Sequence, residues 1–544
     1  MTAERITAPP PSRLERAVVG LSIAWFLLAG LLLIPYPGVE NDEALFANAI
    51  YAPGGVSGRI SVLGRSIPTM VMPYVGALKG WLYSDIFRMF YPSVWSLRAP
   101  VLLAGAAAIW FFCLLLRRLA GPRSAVIGCV LLATDVPFLL TVTFDWGPVA
   151  LQMLLLISGL LLAVRYGDAL RPAQVSGAFF LFGLALWDKA VFLWTAAGLM
   201  AAALAFARQE LRRVYRPQAA ALAVVCLLAG ALPFLAYNFG SEFATFRGNR
   251  YGLADYRQKV AVMRATLSGT VLDQFLIDGG SSPAQSPASL TPLEAAGLRL
   301  NSLPHPSSGF LPVAVLAAIL LAPLAWRRPG GRVPWFFALA FLVSWLSMMG
   351  IVNAGSGAHH TILVWPQLIG FVGAGLGLGS QCLPKRLWPV LGAGVLAVVV
   401  VNVFLWSNVY AGLIRFGPGK LWTDAIHPLI ECVGKIRPQV VYSVDWGMDF
   451  SLRMFLRGSP PIDAGVGLFP PMLDDGERSR LRHRFSRPGA VFVAYVDGKE
   501  VFPEGKRIVQ QYADEQGYSK TVLCQASDRR GRPFFEVYRY VPGE

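Results

Sequence analysis

The sequence predicts an α-helical polytopic membrane protein of about eleven spans, with a small α/β domain at its C-terminal end. Three observations carry this. Of 544 residues, 55% are hydrophobic and only 15% charged, and the mean hydropathy is +0.51, far above a globular composition. Apolar runs of about 18 residues or more recur, each close to what ~30 Å of hydrocarbon requires. The basic residues cluster at alternate breaks between those runs, as the positive-inside rule demands.

The runs start near residues 17, 99, 124, 148, 174, 190, 218, 309, 333, 361 and 387. The first follows Arg5, Arg13 and Arg16 and has no A-x-A site; at about 20 residues it is longer than a signal-peptide core and reads as an uncleaved helix. Asp188 and Lys189 interrupt "FFLFGLALWDKAVFLWTAAGLM". A charge at mid-bilayer costs about 2.5 kcal/mol or more, so two spans meeting in a tight turn are expected there.

Threaded with residues 1–16 in the cytoplasm, a transmembrane body of 17–410 puts every Arg-rich break inside: 117–123, 165–171, 208–216, 327–332 and 385–386. The outer side receives the loop 37–98, the break at Asp145, the Asp188–Lys189 turn, the loop 238–308, "NAGSGAHH" and the region 411–544. The chain is thus expected in the inner (plasma) membrane, with its C-terminal domain periplasmic or extracellular. The net charge of +16 then serves orientation and contact with the lipid bilayer. No nucleic-acid partner is expected, because no soluble segment carries a basic stripe interleaved with aromatics.

Within the outer loops, 52–98 mixes Pro68, Pro73, Arg65 and Lys79 with aromatics, which predicts short helices lying in the interface. In 238–308, Arg247, Arg250, Arg257, Lys259 and Arg264 precede a Ser/Pro-rich flexible stretch, "GGSSPAQSPASLTP". From about residue 438 the chain reads as soluble: "QVVYSV", "AVFVAYV" and "FFEVYRYV" as strands and "MDFSLRMFLRG" as a helix. Cys432 and Cys524 both fall in this tail and could pair in an oxidising compartment, which spacing alone leaves open. Cys113, Cys129 and Cys226 lie in apolar runs as small hydrophobes.

The candidate chemistry gathers on the outer face. "GVENDEALFANAIY" packs Glu40, Asp42 and Glu43 into four positions after the first span. Asp42 suits a helix cap and Glu43 the helix dipole. Equally, an acid near a second acid has its proton affinity raised, which suits a base drawing a proton from a hydroxyl or amine. Asp145 in "VTFDWGPVALQ" is placed to cap the following helix, with Trp146 beside it, and shares the face of Asp42. Lys189 reads either as half of a local ion pair with Asp188 in an exposed turn, or as a cation receiving a lipid phosphate with Asp188 orienting it. His359 or His360 with Asp42, Glu43 or Asp145 would complete a divalent-metal site, although adjacent histidines on a helix point about 100° apart.

Taken in order, "ENDEALFANAIY", an Asp before the fourth span, "GLALWDKAVF" and "HHTILVWP" resemble the GT-C superfamily of polyprenyl-phosphate-sugar glycosyltransferases, over roughly residues 15–410. The nearest branch resembles that of protein O-mannosyltransferases and lipid A aminoarabinose transferases. The resemblance implies a polyprenyl-phosphate-linked sugar donor, an extracytoplasmic acceptor (lipid, glycan or protein) and inversion at the anomeric centre. It maps Asp42 or Glu43 to the base, Asp145 to the second acid and Lys189 to the phosphate-binding lysine of a "TKGP"-like motif. Here "WDKAVF" has no Gly-Pro after the lysine, and "PYVGALKGWLY" stands where the family has a "KPPL"-type segment. Lys79, Arg250 and Arg257 are further candidates for the donor phosphate, and Glu40, Trp146, Asp188, His359 and His360 for the substrate pocket. Neither a Walker-type loop nor a long cytoplasmic domain for a nucleotide sugar is seen.

Two rival classes share the multi-span body. A transporter or flippase tends to bury charge near mid-membrane between repeated halves, whereas these polar clusters sit at one interface. A polysaccharide polymerase or ligase relies on outer-loop arginines, such as those of 247–264. A plain membrane anchor for the tail is the third alternative.

Overall fold

The computed structural model describes residues 10–214, 216–278, 290–352, 354–463 and 473–543. Most of the Ser/Pro-rich stretch in the loop 238–308 lies outside the described residues. Apolar helices form near the expected starts: Arg13–Leu33, Val94–Ala120, Pro122–Thr134 with Val136–Phe144, Ala150–Ala169, Pro172–Asp188, Phe192–Phe206, Pro217–Gly240, Leu311–Leu321, Val333–Met349, Trp365–Gly379 and Trp388–Phe416. By length and composition, five described helices could cross a membrane, or six if the bent pair is one span, and four more are shorter apolar helices. The body is a multi-pass membrane bundle.

The bent pair departs from the sequence reading, which ran one span from residue 124. Asp135 breaks it: its carboxylate accepts from Phe138 N at 2.9 Å and caps the second half, Pro137 follows at a position that tolerates a missing N–H, and the halves meet at 59°. Elsewhere the bundle closes through small residues. A Cβ on Gly183 would run into the backbone of Leu227 and Gly230, and one on Gly230 into Phe180. The Pro172–Asp188 and Pro217–Gly240 helices therefore approach backbone to backbone, as small-residue interfaces in lipid allow.

The segment 52–98 is not a set of short helices. It is an antiparallel sheet of strands Gly58–Val62, Arg65–Met72 and Val75–Gly76, followed by the helix Leu78–Met89. Leu63 and Gly64 turn the first hairpin with φ of 50° and 76°, the left-handed pair that matches the twist of a two-residue hairpin.

In the tail, strands form at Val440–Ser443, Ala490–Tyr495 and Pro533–Pro542 and a helix at Asp449–Phe455. With Ile462–Asp463 and Tyr518–Ser527 they make a five-stranded mixed sheet. Its order is Ile462–Asp463, Val440–Ser443, Ala490–Tyr495, Pro533–Pro542, Tyr518–Ser527, and the first three strands run parallel. A disulfide joins Cys432 on the helix Ile426–Ile436 to Cys524, with Cα atoms 6.6 Å apart.

A basic turn of the tail seats on the end of the Trp388–Phe416 helix. Asp528 accepts from the backbone N–H groups of Arg530 (3.0 Å) and Arg532 (2.8 Å), which shapes the turn. Arg530 then donates to the carbonyls of Ile414 (3.1 Å) and Arg415, Arg532 donates to that of Phe416 (3.4 Å) and pairs with Asp278, and Arg529 pairs with Asp424 at 2.9 Å. These guanidiniums cap the C-terminal carbonyls of Trp388–Phe416, where the helix dipole favours positive charge. The double variant Arg530→Ala/Arg532→Ala should speed hydrogen exchange at 412–417 by the equivalent of about 1–3 kcal/mol of local opening; unchanged exchange there would contradict the latch.

Candidate active site

The acid loop is built on an arginine. Ser93 and Ser96 form a capping box that starts the Val94–Ala120 helix, which sets Arg98 in its second turn. Arg98 is fully buried. Its Nε and Nη2 donate to Glu43 Oε1 and Oε2, both at 2.8 Å. Nη1 donates to the carbonyls of Ile34 (2.7 Å) and Pro37 (2.9 Å), and Nη2 also to that of Gly38 (2.6 Å). All five N–H groups of the guanidinium are thereby used, and the Phe144 ring lies 4.8 Å from it. Glu43 is consumed in this clamp. Glu40 caps the short helix Asn41–Ala44, its Oε2 accepting from Asp42 N (2.7 Å) and Glu43 N (3.3 Å).

Asp42 is the acid of the three that reaches the cleft. It is half-buried and borders a narrow cleft lined also by Leu45, Phe46, Val75, Gly76, Lys79, Gly147 and Pro148. Trp146 Nε1 donates to its Oδ2 at 3.4 Å. Burial raises the Asp42 pKa above the ordinary carboxylate value, and the Trp146 hydrogen bond and the Lys189 charge partly offset this. Burial, rather than the charge of a neighbouring acid, is the largest cause of this rise.

Asp145 is engaged. Its backbone turns left-handed at φ 39°, its Oδ1 accepts from Val149 N (2.9 Å) and Ala150 N (2.8 Å), and its Oδ2 pairs with Lys79 Nζ at 2.7 Å. It thus caps the Ala150–Ala169 helix and neutralises Lys79, both buried, with the ammonium 4.5 Å from the Phe46 ring. The Asp145 carboxylate is a structural anchor for the cleft wall.

Lys189 comes to the same place from the end of the Pro172–Asp188 helix. Residues on both sides of it are stitched to the hairpin sheet: Trp187 Nε1 donates to Thr69 O at 2.7 Å, and Ala190 N to Tyr74 O at 2.9 Å. The lysine carbonyl accepts from Gln152 at 3.0 Å. Gly147, at φ 68°, leaves the ammonium room, since a Cβ there would stand 3.0 Å from Nζ. Among the described residues no side chain or carbonyl accepts from this ammonium. The exposed local ion pair with Asp188 does not form: both residues are buried, and the Asp188 oxygens accept no hydrogen bond.

His359 lies tilted at 46° against Trp146, ring centroids 4.4 Å apart, and His360 lies 4.0 Å from His359 and 6.1 Å from Trp194. They form part of an aromatic column. Among the described residues no three His, Cys, Asp or Glu side chains gather as a metal ion would need. Arg250 and Arg257 are exposed and make no contact with the Asp42–Lys189 group among the described residues. The buried member of that basic cluster is Lys259, and its ammonium is used on the carbonyls of Met348 (3.1 Å) and Ile351 and on Asp255 (3.1 Å).

Sequence reading missed Arg98 and Phe275, which stacks on Trp146 at 4.4 Å. Arg98 did leave a signal: a lone arginine leading into a span from the side the positive-inside rule keeps poor in arginine. Arg98→Ala should lower folding stability by about 3–5 kcal/mol, the cost of stranding a buried partner charge, and Asp42→Asn should leave it near native. Thermal melts in detergent check this; a native-like melt for Arg98→Ala would contradict the clamp.

Residues 75–237, which hold Lys79, Asp145 and Lys189, match the family model described as dolichyl-phosphate-mannose-protein mannosyltransferase. No curated protein matches the chain in sequence. Among solved structures, the chain is similar to ArnT from Cupriavidus metallidurans in the apo state, at TM-score 0.58 and 14% identity over 96% of this chain and 97% of that one. The same protein bound to undecaprenyl phosphate gives TM-score 0.57 and 15% identity over 96% and 98%. An oligosaccharyltransferase of Archaeoglobus fulgidus gives 0.50 and 15% over 97% and 73%. At such identities the likeness is one of fold, and this multi-pass membrane chain has the fold of the GT-C glycosyltransferases.

Proposed function

We propose that the protein is a membrane glycosyltransferase that moves a sugar from a polyprenyl phosphate to an extracytoplasmic acceptor (lipid, glycan or protein), with inversion. One observation carries the reading: Asp42 borders a cleft, and next to Gly147 of its wall lies the buried ammonium of Lys189, which has no acceptor among the described residues and whose charge reaches Asp42. The family description at 75–237 names a dolichyl phosphate sugar, and one fold neighbour was solved with undecaprenyl phosphate. Both support a lipid-borne donor. The Cys432–Cys524 disulfide supports a tail on the oxidising side of the membrane, with the basic breaks of the bundle cytoplasmic.

In the step proposed, Asp42 takes the proton of the acceptor O–H or N–H. The freed lone pair attacks the anomeric carbon from the face opposite the phosphate. The bond between that carbon and the phosphate oxygen breaks, and its electrons leave with the polyprenyl phosphate. Lys189 stabilises the charge that develops there, as a preorganised cation in a dry site does best. Lys79, neutralised by Asp145, shapes the cleft.

Asp42→Asn should cut transfer by roughly 10²–10⁴, the usual weight of a general base, with normal membrane insertion; full activity would overturn the base assignment. Because burial raises the Asp42 pKa, its basic form is lost as pH falls through a value above the usual carboxylate range. The acid limb of kcat/KM should therefore lie above about 3.9. Lys189→Ala should weaken the apparent affinity for the donor, and an unchanged donor KM would count against the phosphate role.

A further inference from the structure

Trp146 is half-buried, and its ring meets two others. Phe275, from the short helix Asp273–Leu276, stacks on one side at 4.4 Å and 14° between planes, and His359 lies at 4.4 Å and 46°. His360 backs His359, and Trp194 backs His360. The indole edge is occupied as well: Nε1 donates to Asp42 Oδ2. No protein donor reaches Asp42 Oδ1 among the described residues.

We propose that Trp146 is a positioning residue for Asp42: packed against Phe275 and His359, it holds Oδ2 by the indole N–H and so presents Oδ1 to the acceptor. This rests on the reading of Asp42 as the base. The column draws on three separate parts of the chain, the segment 273–276, the 145–148 turn and the start of the late span, and so fixes the indole in more than one direction. A general base gains from such restraint because rate depends steeply on how the accepting oxygen is aimed. The charged and titratable groups that bear on Asp42 are Lys189, Glu40, Tyr74 and Asp449, and all stay in place when the indole alone is changed.

The test is Trp146→Phe in the full-length protein, with kcat and donor KM followed against pH. Phenylalanine keeps a ring in the column and removes the N–H. The expected result is a fall in kcat of roughly ten- to a hundredfold, an unchanged donor KM, and an acid limb moved to higher pH, because a hydrogen bond that favoured the carboxylate is gone. A wild-type kcat and acid limb would overturn the proposal. So would kcat and KM worsening together with the acid limb unmoved, the mark of a merely structural residue. If Trp146→Phe does not fold, Phe275→Ala decides: it should lower kcat with the same upward displacement of the acid limb, and a wild-type pH profile would overturn the proposal. Asp42→Asn separates the two readings. Activity retained there removes the base itself, whereas an inactive Asp42→Asn beside a wild-type Trp146→Phe removes the positioning role alone.

Discussion

The site depends on a buried guanidinium. Arg98 carries a full charge into the outer end of the bundle, where an unpaired ion would cost several kcal/mol. It is tolerated because Glu43 meets it two-pronged and the carbonyls of Ile34, Pro37 and Gly38 take its remaining N–H groups. A single side chain thus ties the end of the first span, the loop after it and the start of the second long helix into one piece. The consequence reaches the chemistry. With Glu43 spent on Arg98 and Glu40 on backbone amides, the loop cannot roll, and Asp42 faces the cleft.

The same economy governs the cations. Lys79 is neutralised by Asp145, which also caps a helix, while Lys189 is held by its backbone and leaves its ammonium unmatched. The hairpin sheet brings these elements together: it is hydrogen-bonded around Lys189 at Thr69 and Tyr74, and the helix carrying Lys79 follows it directly. From the other side the tail grips the acid loop. Ser451 donates to Val39 O at 2.8 Å, Phe450 N to Asn41 Oδ1 at 3.1 Å, and Arg453 to Asn48. The acid loop is therefore held by bundle and tail, and with the hairpin it frames the cleft.

Much of the fold was legible because its signals are strong and local. Long apolar runs, period-two strands in the tail and the Asp188–Lys189 interruption each announce an element on their own. The missed break at Asp135 has a physical cause: one capping carboxylate before a proline bends a span while barely changing its average hydropathy. The hairpin at 58–76 was missed because its prolines and arginines argued for interface helices, and the Leu-Gly turn is weaker than Asn-Gly. At the site, residue types named the candidates without saying how their side chains are engaged. Which of Glu40, Asp42 and Glu43 reaches the cleft is decided by Arg98, 55 residues on from Glu43, and by a backbone cap. Neither is visible without the fold. Arg250 and Arg257 read as phosphate ligands by charge, yet their element carries them outward, and Lys259 beside them serves helix-end carbonyls.

The central claim is that Asp42 and Lys189 serve one reacting centre. The most direct test is an experimental structure of the full-length protein with polyprenyl phosphate bound. The account predicts a phosphate oxygen at about 3 Å from Lys189 Nζ, the distance of a charge-assisted hydrogen bond, with Asp42 across the same cleft. A phosphate seated instead against Arg250 and Arg257, outside the Asp42 cleft, would contradict it.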